Sequence, residues 1–263
     1  KGILINYKMP HRIKVALFDM AATTVDDEII KPGLEGKLPL VISAYEDAFK
    51  KADIKMPFDE LNDCRGKDKL EVFREKVYKY RTDLKEGESR NEHARIIKQI
   101  EEIKKKKGDL ATFLIDIMSD DQKALACKLH DSEFVPALLK NIPYIKEMPR
   151  TSETFQYLRN HDIFIATGSG FPQVVTEAIN KQLGWQEKGL VNFGICGETA
   201  GGERPKPNMI NATLIAAGIF SNGIDLSKKQ EGFNYSILLK VGDTEVDIRE
   251  GKGVGATTIA VSS

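Results

Sequence analysis

The chain has 263 residues and equal numbers of acidic and basic side chains, 39 of each, so its formal net charge is zero. A neutral chain has no overall field that would favour nucleic acid or an anionic membrane surface as a partner. Its three cysteines are scattered and form no CxxC pair, which argues against a disulfide framework or a structural zinc site.

Two features of the sequence bear on where the protein works. No apolar run approaches the roughly 20 residues that a helix needs to cross a bilayer. The opening segment, residues 1–8, is short and turns polar too soon for a secretory signal. We therefore expect a cytoplasmic protein with no membrane partner.

The first strand is predicted at residues 14–19, where an apolar run leads straight into Asp19. An apolar run without polar alternation is typical of a strand buried on both faces of a parallel sheet. Asp19 would then stand at the carboxyl end of that strand, where open α/β sheets bind their ligands. Small residues and Thr23 follow, so the backbone can approach an anion closely and Thr23 can donate a hydroxyl. A core strand that ends in a helix N-cap is the simpler alternative.

A helical insert is predicted from residue 31 to residue 148, because no strand-like run occurs there. Apolar spacing predicts helices at 38–51, 70–78, 94–104, 110–118 and 122–139. Four lysines at 104–107 precede a glycine, which indicates a solvated helix end rather than a nucleic-acid patch. The predicted domains are an α/β core, residues 1–30 and 149–263, and an all-helical domain, residues 31–148.

Strands and helices alternate again from residue 151 onward, which predicts right-handed βαβ units and a parallel sheet. The predicted strands are 163–166, 191–196, 237–241 and 257–261. The predicted helices are 151–161, 172–183, 208–218 and 244–251, with a turn at 167–170 and a loop at 199–207. The segment 218–234 is longer and more polar than its connection requires, and no function is predicted for it.

A second acidic residue follows an apolar strand at Asp243, and Asp247 comes one helical turn later. Both carboxylates can therefore face the same crevice as Asp19. Carboxylate groups gathered at strand ends are the oxygen ligands that a hard cation such as Mg²⁺ requires. The alternative is that Asp243 and Asp247 are helix N-caps.

Four segments resemble, in order, the four motifs of the haloacid dehalogenase superfamily. They are 19–26, 167–170, 204–207 and 242–247. The likeness is strongest to the phosphonatase-like hydrolases, whose first motif reads Asp-x-Ala-Gly-Thr-Thr-Val. It extends from about residue 14 to residue 261, apart from the middle of the insert. The resemblance implies a Rossmann-like parallel-sheet core with a cap domain inserted after the first strand.

The resemblance also implies roles for the strand-end residues. Asp19 would be the nucleophile that accepts the phosphoryl group as an aspartyl-phosphate. Mg²⁺ would be held by Asp19, the Ala21 carbonyl and Asp243. Asp247 would orient the waters or ligands of the metal rather than bind it directly.

Three further residues would face the substrate. Thr167 would donate a hydrogen bond to a phosphoryl oxygen, and Gly168 would leave backbone N–H groups open beside it. A role for Thr167 as a cap of the following helix is compatible with this one. Arg204 matches the cation of the third motif, and its guanidinium can contact a phosphate in two places.

Ala21 separates this chain from most phosphatases of the superfamily, which carry at that position an acid that protonates the leaving oxygen. In phosphonatase, a lysine of the cap does the equivalent work by forming a Schiff base with the substrate aldehyde. Lys69 falls on the matching position here and is a candidate for that role. A solvated lysine at a charged helix start is the alternative.

Three residues depart from the phosphonatase pattern and leave the substrate open. Arg65 stands where that pattern has Met, Val72 where it has His, and Ser169 where it has Tyr. These positions line the substrate site in the family, so phosphonoacetaldehyde itself is not assured as the substrate.

The predicted function is a Mg²⁺-dependent hydrolase that removes a phosphoryl group from a small phosphonate or phosphate metabolite. The cap would close over the substrate, and the resemblance implies a homodimer formed through the cap. Two alternatives stay open: a phosphomonoesterase of the same superfamily with a different small substrate, and a catalytically silent binding protein.

Overall fold

The protein is described here by a computed structural model that covers residues 13–26, 28–30, 37–65, 67–106, 108–202 and 204–262. Residues 1–8, in which the sequence predicts no secretory signal, lie outside the described part of the chain. The chain divides into two compact units. The sheet unit contains residues 1–27 and 145–263, and the helical unit contains residues 28–144. The predicted domain boundaries, after residues 30 and 148, stay a prediction.

The strands of the described residues are short, and most belong to the sheet unit. In chain order they are β1 (Val15–Asp19), β2 (Val25–Asp26), β3 (Glu28–Ile30), β4 (Lys37–Pro39), β5 (Lys146–Glu147), β6 (Phe164–Ser169), β7 (Phe193–Cys196), β8 (Leu238–Gly242) and β9 (Thr257–Ala260).

The α-helices fall into two groups, one in each unit. Those of the helical unit are α1 (Leu40–Lys50), α2 (Phe58–Asn62), α3 (Lys69–Tyr80), α4 (Arg90–Lys106), α5 (Leu110–Ile117), α6 (Asp120–Lys128) and α7 (Val135–Asn141). Those of the sheet unit are α8 (Thr151–Arg159), α9 (Gln173–Leu183), α10 (Gly197–Ala200), α11 (Asn208–Ala216) and α12 (Glu245–Val254). Within the described residues, no helix has both the length and the apolar composition that a membrane span requires.

The sheet unit is built on one five-stranded sheet in the order β7-β6-β1-β8-β9. Every pairing in this sheet is parallel. β1 lies in the middle, and all five of its residues are buried, as its unbroken apolar run predicted. The α/β class is therefore confirmed, and the carboxyl ends of the five strands meet at one edge.

Apolar side chains cover both faces of this sheet. On one face, Val15 and Leu17 of β1 belong to a buried cluster with Met209, Ile210 and Leu214 of α11. On the other face, the ring of Phe18 lies edge-to-face against Phe155 of α8, with ring centroids 5.2 Å apart. Because side chains alternate along a strand, β1 anchors both layers and its end is held rigidly.

β6 is longer than the sequence predicted. Thr167 and Gly168, which were expected in a turn, still belong to the strand, because the ladder continues from Val15↔Phe164 to Asp19↔Gly168. The prediction of a turn beginning at Thr167 is therefore wrong. Gly168 stands directly beside Asp19 across the ladder.

The helical unit departs in two details from the purely helical insert that was predicted. β3 and β4 form a short antiparallel hairpin, so α1 begins two residues later than expected. The helix expected at 122–139 contains a π-helical turn at Leu129–Phe134. Pro136 follows this turn, and a proline has no N–H to donate to the regular helical pattern.

The segment 218–234 is fixed by one buried amide. Asn211 of α11 is fully buried, and its Nδ2 donates to the carbonyls of Leu226 at 2.9 Å and Lys228 at 2.8 Å. Its Oδ1 accepts from the Tyr235 hydroxyl at 2.9 Å. The extra length of this segment is therefore a structured loop tied to α11.

We predict that Asn211→Leu lowers the free energy of unfolding by about 3 kcal/mol, because the substitution leaves buried polar partners without hydrogen bonds. Urea denaturation measures this loss, and limited proteolysis should cut within 218–234. Asn234→Ala is the matched control, since the side chain of Asn234 accepts a single exposed bond from the Ser236 N–H. An equal loss for both variants would contradict the anchoring role.

Candidate active site

Three carboxylates meet at the carboxyl edge of the sheet. Asp19 ends β1, Asp243 follows β8, and Asp247 lies in the first turn of α12. One oxygen of each lies within 4.8 Å of the others. Asp19 and Asp247 are buried, whereas Asp243 is half-buried. The structure therefore brings together the acidic residues that the sequence singled out.

A tight turn after β1 shapes one side of the site. The Met20 carbonyl accepts hydrogen bonds from the N–H groups of Thr23, Thr24 and Val25, at 3.2, 2.9 and 2.8 Å. The Ala22 N–H donates to the Val25 carbonyl at 2.9 Å, so the carbonyl of Ala21 takes no part in these bonds. The turn requires Ala22 to adopt a positive φ of 58°, which a residue with a Cβ rarely does.

The hydroxyl of Thr23 is engaged within the site. It donates to Asp243 Oδ1 at 3.1 Å and so ties the turn after β1 to the end of β8. The sequence predicted that this hydroxyl would reach a bound anion. In this arrangement its described bond holds a carboxylate in place.

Arg204 lies between two of the acids. Its Nη1 donates to Asp19 Oδ1 at 2.6 Å and also to Asp247 Oδ1. The guanidinium is almost fully buried. A Cβ on Gly170 would lie 3.1 Å from Arg204 Nη2, so the glycine of the β6–α9 turn leaves room for the guanidinium.

Lys240 belongs to the same cluster and was not singled out from the sequence. It lies in β8 with its side chain fully buried. Its Nζ is 2.9 Å from Asp247 Oδ1 and 3.0 Å from Glu250 Oε2. A signal was present, because a charged residue in the middle of a buried strand requires a charged partner.

Both carboxylate oxygens of Asp247 are engaged by these neighbours. Oδ1 faces Arg204 and Lys240, and Oδ2 accepts from the Thr244 hydroxyl. A Cβ on Gly242 would overlap the Asp247 side chain, so the glycine that ends β8 permits this close approach. These contacts favour Asp19 and Asp243 over Asp247 as direct metal ligands.

The charges of the cluster do not balance. Arg204 and Lys240 supply two positive charges, whereas Asp19, Asp243, Asp247 and Glu250 supply four negative ones when all are ionised. The two excess negative charges are what one divalent cation neutralises. The donors are oxygens, which suits Mg²⁺, so the residues present fit the predicted metal.

The pKa values follow the same arrangement. Burial raises the pKa of Asp19 to about 7, although the neighbouring Arg204 acts in the opposite direction. Burial would also raise the pKa of Asp247, but Lys240 and Arg204 outweigh it and lower that pKa to about 2. Asp247 is thus the permanently charged anchor of the cluster, and a cation bound beside Asp19 would favour its ionised form.

Thr167 and Gly168 are placed differently from each other. Thr167 is fully buried, and its hydroxyl donates to Asn180 Oδ1 at 3.2 Å. The described contact of Thr167 is therefore with α9 rather than with the three carboxylates. Gly168 lies beside Asp19, and a Cβ there would come within 3.1 Å of Leu17 Cδ1.

Lys69 lies in the helical unit, at the first position of α3. Asp68 caps this helix by accepting a hydrogen bond from the Glu71 N–H at 2.7 Å. Lys69 is only 7% exposed, and its Nζ donates to the Lys67 carbonyl at 2.9 Å. The alternative of a solvated lysine is therefore wrong, while the catalytic role of Lys69 stays a prediction.

Comparison with known sequences gives two informative relatives, although no family model matches the chain. The chain is 24% identical over 253 residues to the phosphonoacetaldehyde hydrolase of Latilactobacillus sakei, covering 95% of this chain and 75% of that protein. It is 25% identical over 252 residues to a bifunctional phosphonoacetaldehyde hydrolase/aminoethylphosphonate transaminase of Clostridioides difficile, covering 95% of this chain and 31% of that protein.

Solved structures show the same fold. A phosphonoacetaldehyde hydrolase-like protein from Oleispira antarctica matches with a TM-score of 0.62 and 17% identity, over 100% of this chain and 77% of that one. A protein from Lactobacillus delbrueckii that has been provisionally assigned as a phosphoglycolate phosphatase also matches. Its TM-score is 0.58 at 16% identity, over 95% of this chain and 86% of that one.

We predict that Ala22→Gly raises the free energy of unfolding by about 0.5–1 kcal/mol. Glycine relieves the cost of a positive φ, and this gain exceeds the loss from a more flexible unfolded chain. Ala21→Gly is the control, because Ala21 does not have a positive φ, and it should lose stability. Chemical denaturation of both variants tests this; a loss of stability in Ala22→Gly would contradict the geometry of the turn.

Proposed function

We propose that this chain, a phosphonatase-like hydrolase of the haloacid dehalogenase superfamily, removes a phosphoryl group from a small phosphonate or phosphate metabolite with the help of Mg²⁺. One observation carries the proposal. Asp19 ends the central strand 2.6 Å from Arg204 Nη1, and oxygens of Asp243 and Asp247 lie within 4.8 Å of one of its own.

In the proposed reaction, an oxygen of Asp19 attacks phosphorus and forms a new P–O bond while the bond to the leaving group breaks. The leaving group departs with the electron pair, and a water molecule then hydrolyses the aspartyl-phosphate and restores Asp19. Because β1 is buried along its whole length, the attacking carboxylate is held on a rigid support.

The metal and Arg204 supply positive charge. Asp19, Asp243 and the Ala21 carbonyl would hold Mg²⁺, which when bound reduces the repulsion between the nucleophile and the phosphoryl oxygens. Arg204 contacts Asp19 in the free protein, and its remaining N–H groups can donate to a phosphoryl oxygen as negative charge develops there.

A phosphonate and a phosphate ester differ in the leaving group that the enzyme must stabilise. Breaking a P–C bond leaves electrons on carbon, so an electron sink is required. In the proposed reaction Lys69 provides it, because its amine condenses with the substrate aldehyde, with loss of water, to give an imine that accepts those electrons. Lys69 is only 7% exposed, which supports this role, since an imine formed there would be shielded from water.

A phosphomonoesterase is the second candidate. Arg65, Val72 and Ser169 differ from the phosphonatase pattern, and an ester substrate does not require a Schiff base. A catalytically silent binding protein is less well supported, because Asp243 and Arg204 lie beside Asp19 as the reaction requires. We also propose that the protein forms a homodimer through the helical unit. Light scattering measures the molar mass in solution and tests this.

The test is phosphate release from phosphonoacetaldehyde and from a panel of small phosphate esters. We expect Mg²⁺-dependent turnover that Asp19→Asn lowers by about 10³-fold or more, because the nucleophile is lost. If the substrate is a phosphonate, Lys69→Arg abolishes turnover, and borohydride with substrate inactivates the wild-type enzyme by modifying Lys69.

Lys67→Arg is the matched control, because it lies two residues before Lys69 and should retain both turnover and borohydride trapping. Ester hydrolysis that survives in Lys69→Arg would favour the phosphomonoesterase. Turnover that persists in Asp19→Asn, or without any divalent cation, would refute both candidates.

A further inference from the structure

Lys240 has an unusual position for a lysine. It lies in the middle of β8, a strand of the central sheet, and its side chain has no exposed surface. A Cβ on Gly251 would lie 3.0 Å from Lys240 Cβ and would overlap the Thr258 hydroxyl. The glycine in α12 therefore gives the lysine stem room to pass between helix and sheet.

The buried charges alternate in sign from the interior of the sheet unit to its edge. Glu250 faces Lys240, Lys240 faces Asp247, Asp247 faces Arg204, and Arg204 faces Asp19. We call this series the charge chain. Every link is an ion pair between side chains that are 8% exposed or less, so water screens these interactions weakly.

Stability does not explain this arrangement. Replacing a buried ion pair by apolar residues of similar volume is often neutral or stabilising. Leu238 points to the same face of the sheet as Lys240, because side chains alternate along a strand, and it is buried in an apolar cluster, so apolar side chains suit that face of β8. A lysine with its partner Glu250 is therefore costly at this position unless the charge has another use.

We infer that Lys240, held by Glu250, is a positioning residue that keeps Arg204 directed at Asp19. This inference rests on the proposed function, because it assigns Arg204 to the nucleophile. Lys240 and Arg204 approach the same oxygen of Asp247, Oδ1. Lys240 thereby satisfies part of the negative charge that would otherwise act on Arg204 alone.

The sharing of one nitrogen makes this balance sensitive. Arg204 uses a single Nη1 for both Asp19 and Asp247. Without Lys240, Asp247 would attract the guanidinium more strongly, and the contact to Asp19 would lengthen. Arg204 would then be poorly placed for charge that develops on a phosphoryl group at Asp19.

The test uses the double variant Lys240→Met/Glu250→Gln, because Lys240→Met alone would leave Glu250 charged and unpaired in the interior. The double variant removes both charges and should fold with a thermal unfolding midpoint near that of the wild type. We expect its kcat to fall about 10- to 100-fold, the usual effect of losing a supporting partner of this kind, while the KM changes little.

Crystal structures of the wild type and the double variant test the positioning directly and need no substrate. In the double variant, we expect Arg204 to keep its hydrogen bond to Asp247 and to lose the one to Asp19. In the wild type, we expect it to keep both. An Arg204 that still bridges both acids, or a wild-type kcat in the double variant, would overturn the inference and leave Lys240 as a mere counter-charge for Glu250.

The matched control is Lys76→Met in the helical unit, where Lys76 is another buried lysine placed between Glu60 at 2.7 Å and Glu75 at 3.3 Å. It should lower the unfolding midpoint and leave the contact between Arg204 and Asp19 unchanged. If the double variant does not fold, Lys240→Gln/Glu250→Gln keeps a polar group beside Asp247 and gives the same structural readout.

Failure of the proposed function has a different signature. A wild-type protein that releases no phosphate from any substrate, but whose Arg204 shifts in the double variant, would refute the hydrolase and support the positioning. Normal turnover in both the wild type and the double variant would support the hydrolase and refute the positioning role of Lys240.

Discussion

The structure depends on one electrostatic constraint, which is the gathering of carboxylates at a buried sheet edge. Asp19, Asp243 and Asp247 lie within 4.8 Å of one another, where their mutual repulsion is weakly screened. Arg204 and Lys240 offset part of it and leave an excess of negative charge that a divalent cation can balance. This excess charge fits the proposed cation, which in turn would attract a phosphoryl group.

The fold provides the means to hold these charges together. Parallel strands bring Asp19 and the end of β8 to one edge, and both sides of β1 are fixed by apolar layers. Gly242 lets α12 approach closely enough for Asp247 to reach Arg204. Thr23 then joins the turn after β1 to Asp243. The energy of core packing is used to hold charges that would otherwise separate.

Local patterns were sufficient to predict the α/β class and the convergence of Asp19, Asp243 and Asp247, because an acid after an apolar strand marks the edge of a parallel sheet. Pairings between distant residues were not predictable in this way. Lys240 was visible as a charge within an apolar strand, but its partners Asp247 and Glu250 depend on how α12 packs against β8. The bond from Thr167 to Asn180 likewise depends on how α9 packs against β6. The register of β6, which moved Thr167 into the strand, likewise depends on its partners.

In the proposed reaction, Asp19 itself receives the phosphoryl group. The most direct measurement is an acid quench of the enzyme during turnover with a substrate carrying a labelled phosphoryl group, followed by peptide mapping. We expect label on the peptide that contains Asp19. This label should be sensitive to hydroxylamine, as an acyl phosphate is, and absent in Asp19→Asn. Turnover with no labelled protein at any quench time, or label on another residue that persists in Asp19→Asn, would contradict it.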